Sequence, residues 1–239
     1  MTKDELWLRT IVQKNGLPIT DIQLAKLSQY AKLLKEWNQR INLISRKDEV
    51  NIWPNHLLLS IAFLFKIELR TEMRVLDLGT GGGLPGIPLS IMRADVHFVL
   101  LDSIQKKVTA VKNMVEALEL PNVSAFCSRA EDVSDAPGYK HAFDAVIARA
   151  VSGLENLVAW GIPLLKGNKT PASLSMVPNE KITLNRPAII AMKGGENEEE
   201  IERTRRLFPR VHVHSLDIVL IGGEILQSAG KRLIIVENE

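Results

Sequence analysis

The sequence predicts an α/β fold: a mostly parallel sheet, preceded by a helical cap and closed by an antiparallel C-terminal edge. Three observations predict it. Apolar residues before residue 70 recur at helical spacing. From Arg74 onward, short β-like runs alternate with helical ones, the pattern of right-handed βαβ crossovers. A glycine-rich segment joins the first of those strands to the helix after it, where doubly wound sheets bind ligands.

The first 70 residues read as the cap. From Asp21 to Ile44, Leu24, Leu27, Tyr30, Leu34, Trp37, Ile41 and Ile44 form one apolar stripe, with Thr20 or Asp21 as its start, so Tyr30 and Trp37 are core residues. A second apolar helix follows Pro54, over His56 to Phe65. Residues 71–239 form the ligand-binding part, the whole chain being one compact unit. Its strands are Arg74 to Leu78, His97 to Leu101 ending in Asp102, Val123 to Cys127, Phe143 to Ala148 and Ala188 to Met192. Helices are predicted over Ile87 to Met92, Ile104 to Leu118 and Gly153 to Leu164. Val211 to Leu220 and Arg232 to Val236 supply the antiparallel edge. Lys166 to Pro187, rich in turn formers, reads as a long surface loop. The acids Glu198 to Glu200, followed by Arg203, Arg205 and Arg206, suit the two ends of a helix and read as a solvated face.

Composition narrows the classes. Hydrophobic residues make up 46% and charged residues 24%, ordinary for a globular protein. The longest apolar run, Leu57 to Phe65, is too short to span a bilayer, and MTKDELWLRT has no signal-like core, so a cytoplasmic protein without a membrane partner is expected. The single cysteine, Cys127, excludes an internal disulfide and reads as a buried, inert thiol. His212 and His214 alternate along a strand rather than pairing on a helix, and no metal site is predicted. The net charge of +2 does not identify a nucleic-acid partner.

Chemistry concentrates in Asp77-Leu-Gly79-Thr-Gly81-Gly-Gly83, where glycines let the backbone turn sharply against a ligand. Gly81, Gly83 and Gly86 also satisfy a dinucleotide pattern, with Asp102 placed for a ribose, so an NAD(P)-dependent oxidoreductase stays open. Three details favour S-adenosylmethionine. Asp77 suits a ligand bearing an ammonium and a sulfonium and would repel a pyrophosphate. Pro85 and Pro88 remove backbone donors that a pyrophosphate would need. Arg129 to Asp132 offers polar groups for an adenine at the carboxyl edge.

Asp77 to Pro88 (DLGTGGGLPGIP), Leu101 to Lys107 (LDSIQKK), Arg129 to Asp132 (RAED), Phe143 to Val151 (FDAVIARAV) and Lys193-Gly194 resemble, in order and spacing, the bacterial glucose-inhibited division protein B family. The resemblance extends over most of the chain, including Trp37-Asn38 and Asn42-Leu43. It implies a Rossmann-like class I methyltransferase, a monomer that uses S-adenosylmethionine to methylate a guanine N7 in 16S ribosomal RNA of the small subunit. It further implies that Gly79 and Leu84 line the methionine and ribose side of the cofactor, and Ala130 and Glu131 the adenine side, with Gly81 among the cofactor-binding residues. Arg149 then sits beside the cofactor facing the acceptor, and Asp102 takes the ribose hydroxyls. No general acid or base is implied. Lys166 to Pro187 departs from the family, whose members turn there in a few residues. Arg46 and His56 match polar positions of its N-terminal region; Arg46 reads equally as an RNA phosphate contact or a solvated arginine, His56 as a core histidine. Arg46, Lys106 and Arg149 are expected to form a basic face for RNA. The competing functions are a small-molecule methyltransferase, an RNA-binding module without catalysis, and the oxidoreductase.

Overall fold

The computed structural model describes residues 1–167, 181–223 and 230–238. In chain order its strands are β1 (Ile67–Glu68), β2 (Arg74–Leu78), β3 (His97–Asp102), β4 (Val123–Cys127), β5 (Ala145–Arg149), β6 (Ile182–Thr183), β7 (Ala188–Gly194), β8 (Val211–Asp217) and β9 (Lys231–Asn238). The helices are α1 (Lys3–Lys14), α2 (Asp21–Asn38), α3 (Leu59–Ile61), α4 (Phe63–Lys66), α5 (Gly86–Met92), α6 (Gln105–Ala117), α7 (Leu154–Gly161) and α8 (Glu198–Leu207). Seven strands pair in the order β4-β3-β2-β5-β7-β9-β8; all neighbours run parallel except β7 with β9 and β8 with β9. The last strand therefore inserts between β7 and β8. The chain crosses from one half of the sheet to the other beside β2, which opens a crevice at the carboxyl ends of β2 and β5.

Pleating sorts the core by parity. Val75, Leu100, Ile147 and Ile190 face the cap and pack with Leu24, Leu27, Tyr30 and Leu34 of α2. Leu76, Leu78, Leu101 and Val146 face the other way, against Leu154, Leu157 and Val158 of α7. Each such fully buried side chain contributes about 1.5–3 kcal/mol. The cap shares one continuous core with a face of the sheet, and Thr20 starts α2 with a reciprocal capping box to Gln23.

Several expectations are corrected. The stripe from Asp21 to Ile44 is not one helix: α2 ends at Asn38, whose side-chain Oδ1 accepts from the backbone of Leu43 (2.8 Å) and Ile44 (2.9 Å). The predicted helix over His56 to Phe65 is a π-helical turn, Trp53–Leu58, followed by α3 and α4. Cys127 is exposed, because β4 is the sheet's edge strand and Cys127 its last residue. The segment Lys166 to Pro187 is not all loop. Residues 168–180 lie outside the described residues, but β6 pairs in parallel with β1, and Ile182 and Leu184 are buried. Glu200 is not solvated: its carboxylate pairs with Lys193 at 2.9 Å, both side chains being less than a fifth exposed.

Candidate active site

The glycine turn is built around two buried or near-buried carboxylates. Asp77, next to last in β2, faces the cap side; its Oδ2 accepts from Thr80 Oγ1 (2.6 Å) and the Gly86 backbone (2.9 Å). Burial pushes its carboxyl up to about 7, against the pull of those donors and of Arg149. The acid read as a partner for a ligand ammonium thus braces the turn from within. A methyl on Gly86 would run into Leu100 Cδ2 and stand 2.7 Å from Asp77 Oδ2, so this contact requires glycine. Asp102, ending β3, accepts from the Gly81 backbone (2.9 Å) with Oδ2 and from the Ile104 backbone (2.9 Å) with Oδ1.

These bonds decide which ligand the turn suits. The first N–H groups of α5 are already spent: Gly86 donates to Asp77, Ile87 to the Gly83 carbonyl, and Pro88 has none. A pyrophosphate would find no donors there. A cleft of about 320 Å³ opens beside the turn, within the range of small-ligand sites (roughly 300–1,000 Å³). Gly79, Asp102, Ala130 and Glu131, four of the residues expected to bind the cofactor, all line it. Gly79 has φ +75°, and a methyl on it would lie 2.6 Å from Val151 Cγ2, so the turn and the next loop meet there without room for a side chain.

Gly81, Leu84 and Arg149 stand off the cleft wall. Gly81 reaches it through Asp102, and Leu84 is buried in the turn. Arg149 shares the parity of Ala145 and Ile147 and turns into the cap. Its guanidinium donates to the carbonyls of Asn55 (2.7 Å) and His56 (3.2 Å), to Ser60 Oγ (3.2 Å) and to His56 Nδ1 (2.9 Å). It therefore cannot contribute to an exposed basic face, whereas Arg46 and Lys106 are exposed. His56 is a core residue as expected, but only half satisfied: Nε2 is buried without a partner among the described residues. Burial, with Arg149 beside it, lowers its pKa to about 4.

Sequence reasoning missed Ile104, Lys107, Ser128, Ala150, Val151 and Trp160 in the cleft wall. Trp160 had a signal: it lies off the buried stripe of Leu154, Leu157, Val158 and Gly161.

The family model GidB, rRNA small subunit methyltransferase G, matches residues 23–227. The ribosomal RNA small subunit methyltransferase G of Chlorobaculum tepidum is 36% identical over 201 residues, 84% of this chain and 82% of that protein. Its counterpart in Bacteroides thetaiotaomicron is 36% identical over 206 residues, 86% and 90% of the two chains. Among solved structures, an O-methyltransferase of Bacillus cereus in complex with SAH superposes with TM-score 0.52 at 16% identity, covering 99% of this chain and 100% of that one. The [4+2]-cyclase SpnF gives 0.55 at 14% identity, covering 93% and 98%, so the fold alone does not fix the reaction.

Proposed function

The chain belongs to the GidB family, rRNA small subunit methyltransferase G, and from that premise we propose that it methylates a guanine N7 in 16S ribosomal RNA, with S-adenosylmethionine as methyl donor. The observation that carries the cofactor half is the turn itself, with its α5 donors spent internally and Asp102 at the cleft. When bound, S-adenosylmethionine supplies a methyl group activated by its sulfonium.

In this reading Gly79 and Gly81 let the backbone approach the methionine and ribose, and Asp102 accepts from the ribose hydroxyls with the lone pairs its two backbone bonds leave. Ala130 and Glu131 hold the adenine end. The shared place of Gly79, Asp102, Ala130 and Glu131 on one cleft supports these roles. Those of Leu84 and Arg149 rest on the family resemblance, and the geometry gives Arg149 a second task, tying the cap to the end of β5. Guanine N7 carries no proton, so no side chain is assigned as acid or base; alignment of the two reactants supplies the catalysis. A-form helices bury that edge in a narrow groove, so the acceptor is an unpaired or splayed guanine. The protein acts as a cytoplasmic monomer on the small subunit.

The test is to incubate the protein with labelled S-adenosylmethionine and small subunits from a strain lacking the enzyme, then locate N7-methylguanine by borohydride and aniline cleavage. One labelled guanine in 16S RNA is expected. Efficient transfer to transfer RNA, protein or a small molecule, with none to 16S RNA, overturns the acceptor.

A further inference from the structure

The loop that follows β5 forms one wall of the cleft, through Ala150 and Val151. Its backbone is not relaxed. Ala150 has φ +56°, a left-handed conformation costly for a residue with a Cβ, and the Val151 side chain fills the space that a side chain on Gly79 would need. Such a conformation persists only where its surroundings hold it. Local support is slight: Asn156 Nδ2 donates to Ser152 Oγ (2.9 Å), and Gly153, at the start of α7, has no side chain to cap that helix.

The hold comes from two other elements. Lys193, near the end of β7, donates from Nζ to the Ser152 carbonyl (2.7 Å) and to Glu200 Oε1 (2.9 Å). Glu200, in the first turn of α8, accepts with the same oxygen from the Leu154 backbone (2.6 Å). One carboxylate thus caps α7 from outside and orients the ammonium that grips the loop. The neighbouring Arg203 pairs with Glu155 at 3.1 Å, fastening α8 to the same turn of α7.

We propose that Glu200, acting through Lys193, is a positioning residue for methyl transfer: it fixes residues 150–153 so that Val151 stays against Gly79 and shapes the cleft wall. The proposal rests on the methyltransferase reading only for the step that the loop serves; the positioning itself is independent of it. Loosening the loop disturbs alignment more than cofactor contact, because Asp102, Ala130 and Glu131 are held elsewhere.

The test uses the full chain with Glu200→Ala, Lys193→Met and Glu200→Gln, and with Glu198→Gln as a control that removes the ion pair of the same helix with Arg232 and leaves an amide oxygen to accept from the Asn197 backbone. Hydrogen exchange of residues 150–154, measured without any substrate, is expected to speed up about 10-fold or more in Glu200→Ala and Lys193→Met while the sheet strands stay protected. In single-turnover transfer to small subunits the rate is expected to fall about 10- to 100-fold, with S-adenosylmethionine affinity within about 3-fold of wild type. Glu200→Gln keeps an oxygen for both donors and falls between Glu200→Ala and wild type in both readouts. Unchanged exchange in Glu200→Ala, or a transfer rate no lower than that of Glu198→Gln, overturns the proposal. Wild-type transfer is measured first, so failure of the acceptor reading shows before any variant is tested, and the exchange result stands without an acceptor.

Discussion

Asp77 and His56, both buried beside Arg149, titrate in opposite senses. Asp77 stands at about 7 in the fold against its ordinary 3.8, so the folded chain binds more protons than the unfolded one between those values, and its contribution to stability falls as pH rises through them. His56 stands at about 4 against 6.5, so the folded chain binds fewer, and its contribution rises with pH across that window. Removing either residue exposes the other. Melting temperatures taken from pH 4.5 to 7.5 and referred to wild type should climb with pH for Asp77→Asn and drop with pH for His56→Gln; difference curves of the same slope would show that the two groups are not buried as described. At this scale the acids were legible, since Asp77 and Asp102 each stand at or next to the end of a strand that runs into a turn. The direction of Arg149 was not. A sheet buried on both faces is apolar at every position, so its strands carry no alternation from which parity can be read.

Among the elements, the turn after α2 does more than join two helices. Asn38 accepts from the Leu43 and Ile44 backbones and donates to Glu49 Oε1 at 2.6 Å. This sets Leu43 against Gly82, where a methyl on the glycine would lie 3.2 Å from Leu43 Cβ. Asn38→Ala leaves two backbone donors without their acceptor, at about 1–3 kcal/mol for each buried one. A loss of about 2 kcal/mol or more is expected in urea unfolding, together with weaker S-adenosylmethionine binding, since the glycine turn loses its backing. Binding and stability both equal to wild type would refute this coupling. The same turn explains why the periodicity ran past the helix: Leu43 and Ile44 are apolar because they pack on the cap and the glycine turn, and burial in a turn leaves the same mark as burial on a helix. The strands read well because Gly, Pro and acids bound them. α1 went unread, although Thr2 and Glu5 form a capping box at its start.

For the whole molecule, one hydrophobic core runs across the expected division into residues 1–70 and 71–239. α2 and the cap-facing side of the sheet share a single core, and Tyr30 reaches from it to the Gly82 carbonyl at 2.8 Å. The net charge of +2 conceals exposed basic residues on both parts. Arg46 opens the short turn Arg46–Asn51, close after Leu43, which packs against the glycine turn. Lys106 precedes the cleft residue Lys107 on α6. Both are exposed, so their contacts with RNA phosphates would be salt-dependent and independent of the base. Reversing both charges, Arg46→Glu with Lys106→Glu, should weaken association with small subunits about 10-fold or more near 0.1 M salt and flatten the dependence of affinity on salt. Cofactor affinity should stay unchanged, because neither residue lines the cleft. Filter binding to small subunits across a salt series, with calorimetry of S-adenosylmethionine in parallel, measures both. An unchanged salt slope would place the RNA on another face, whereas a parallel loss of cofactor affinity would mean that the substitutions had disturbed the cleft itself.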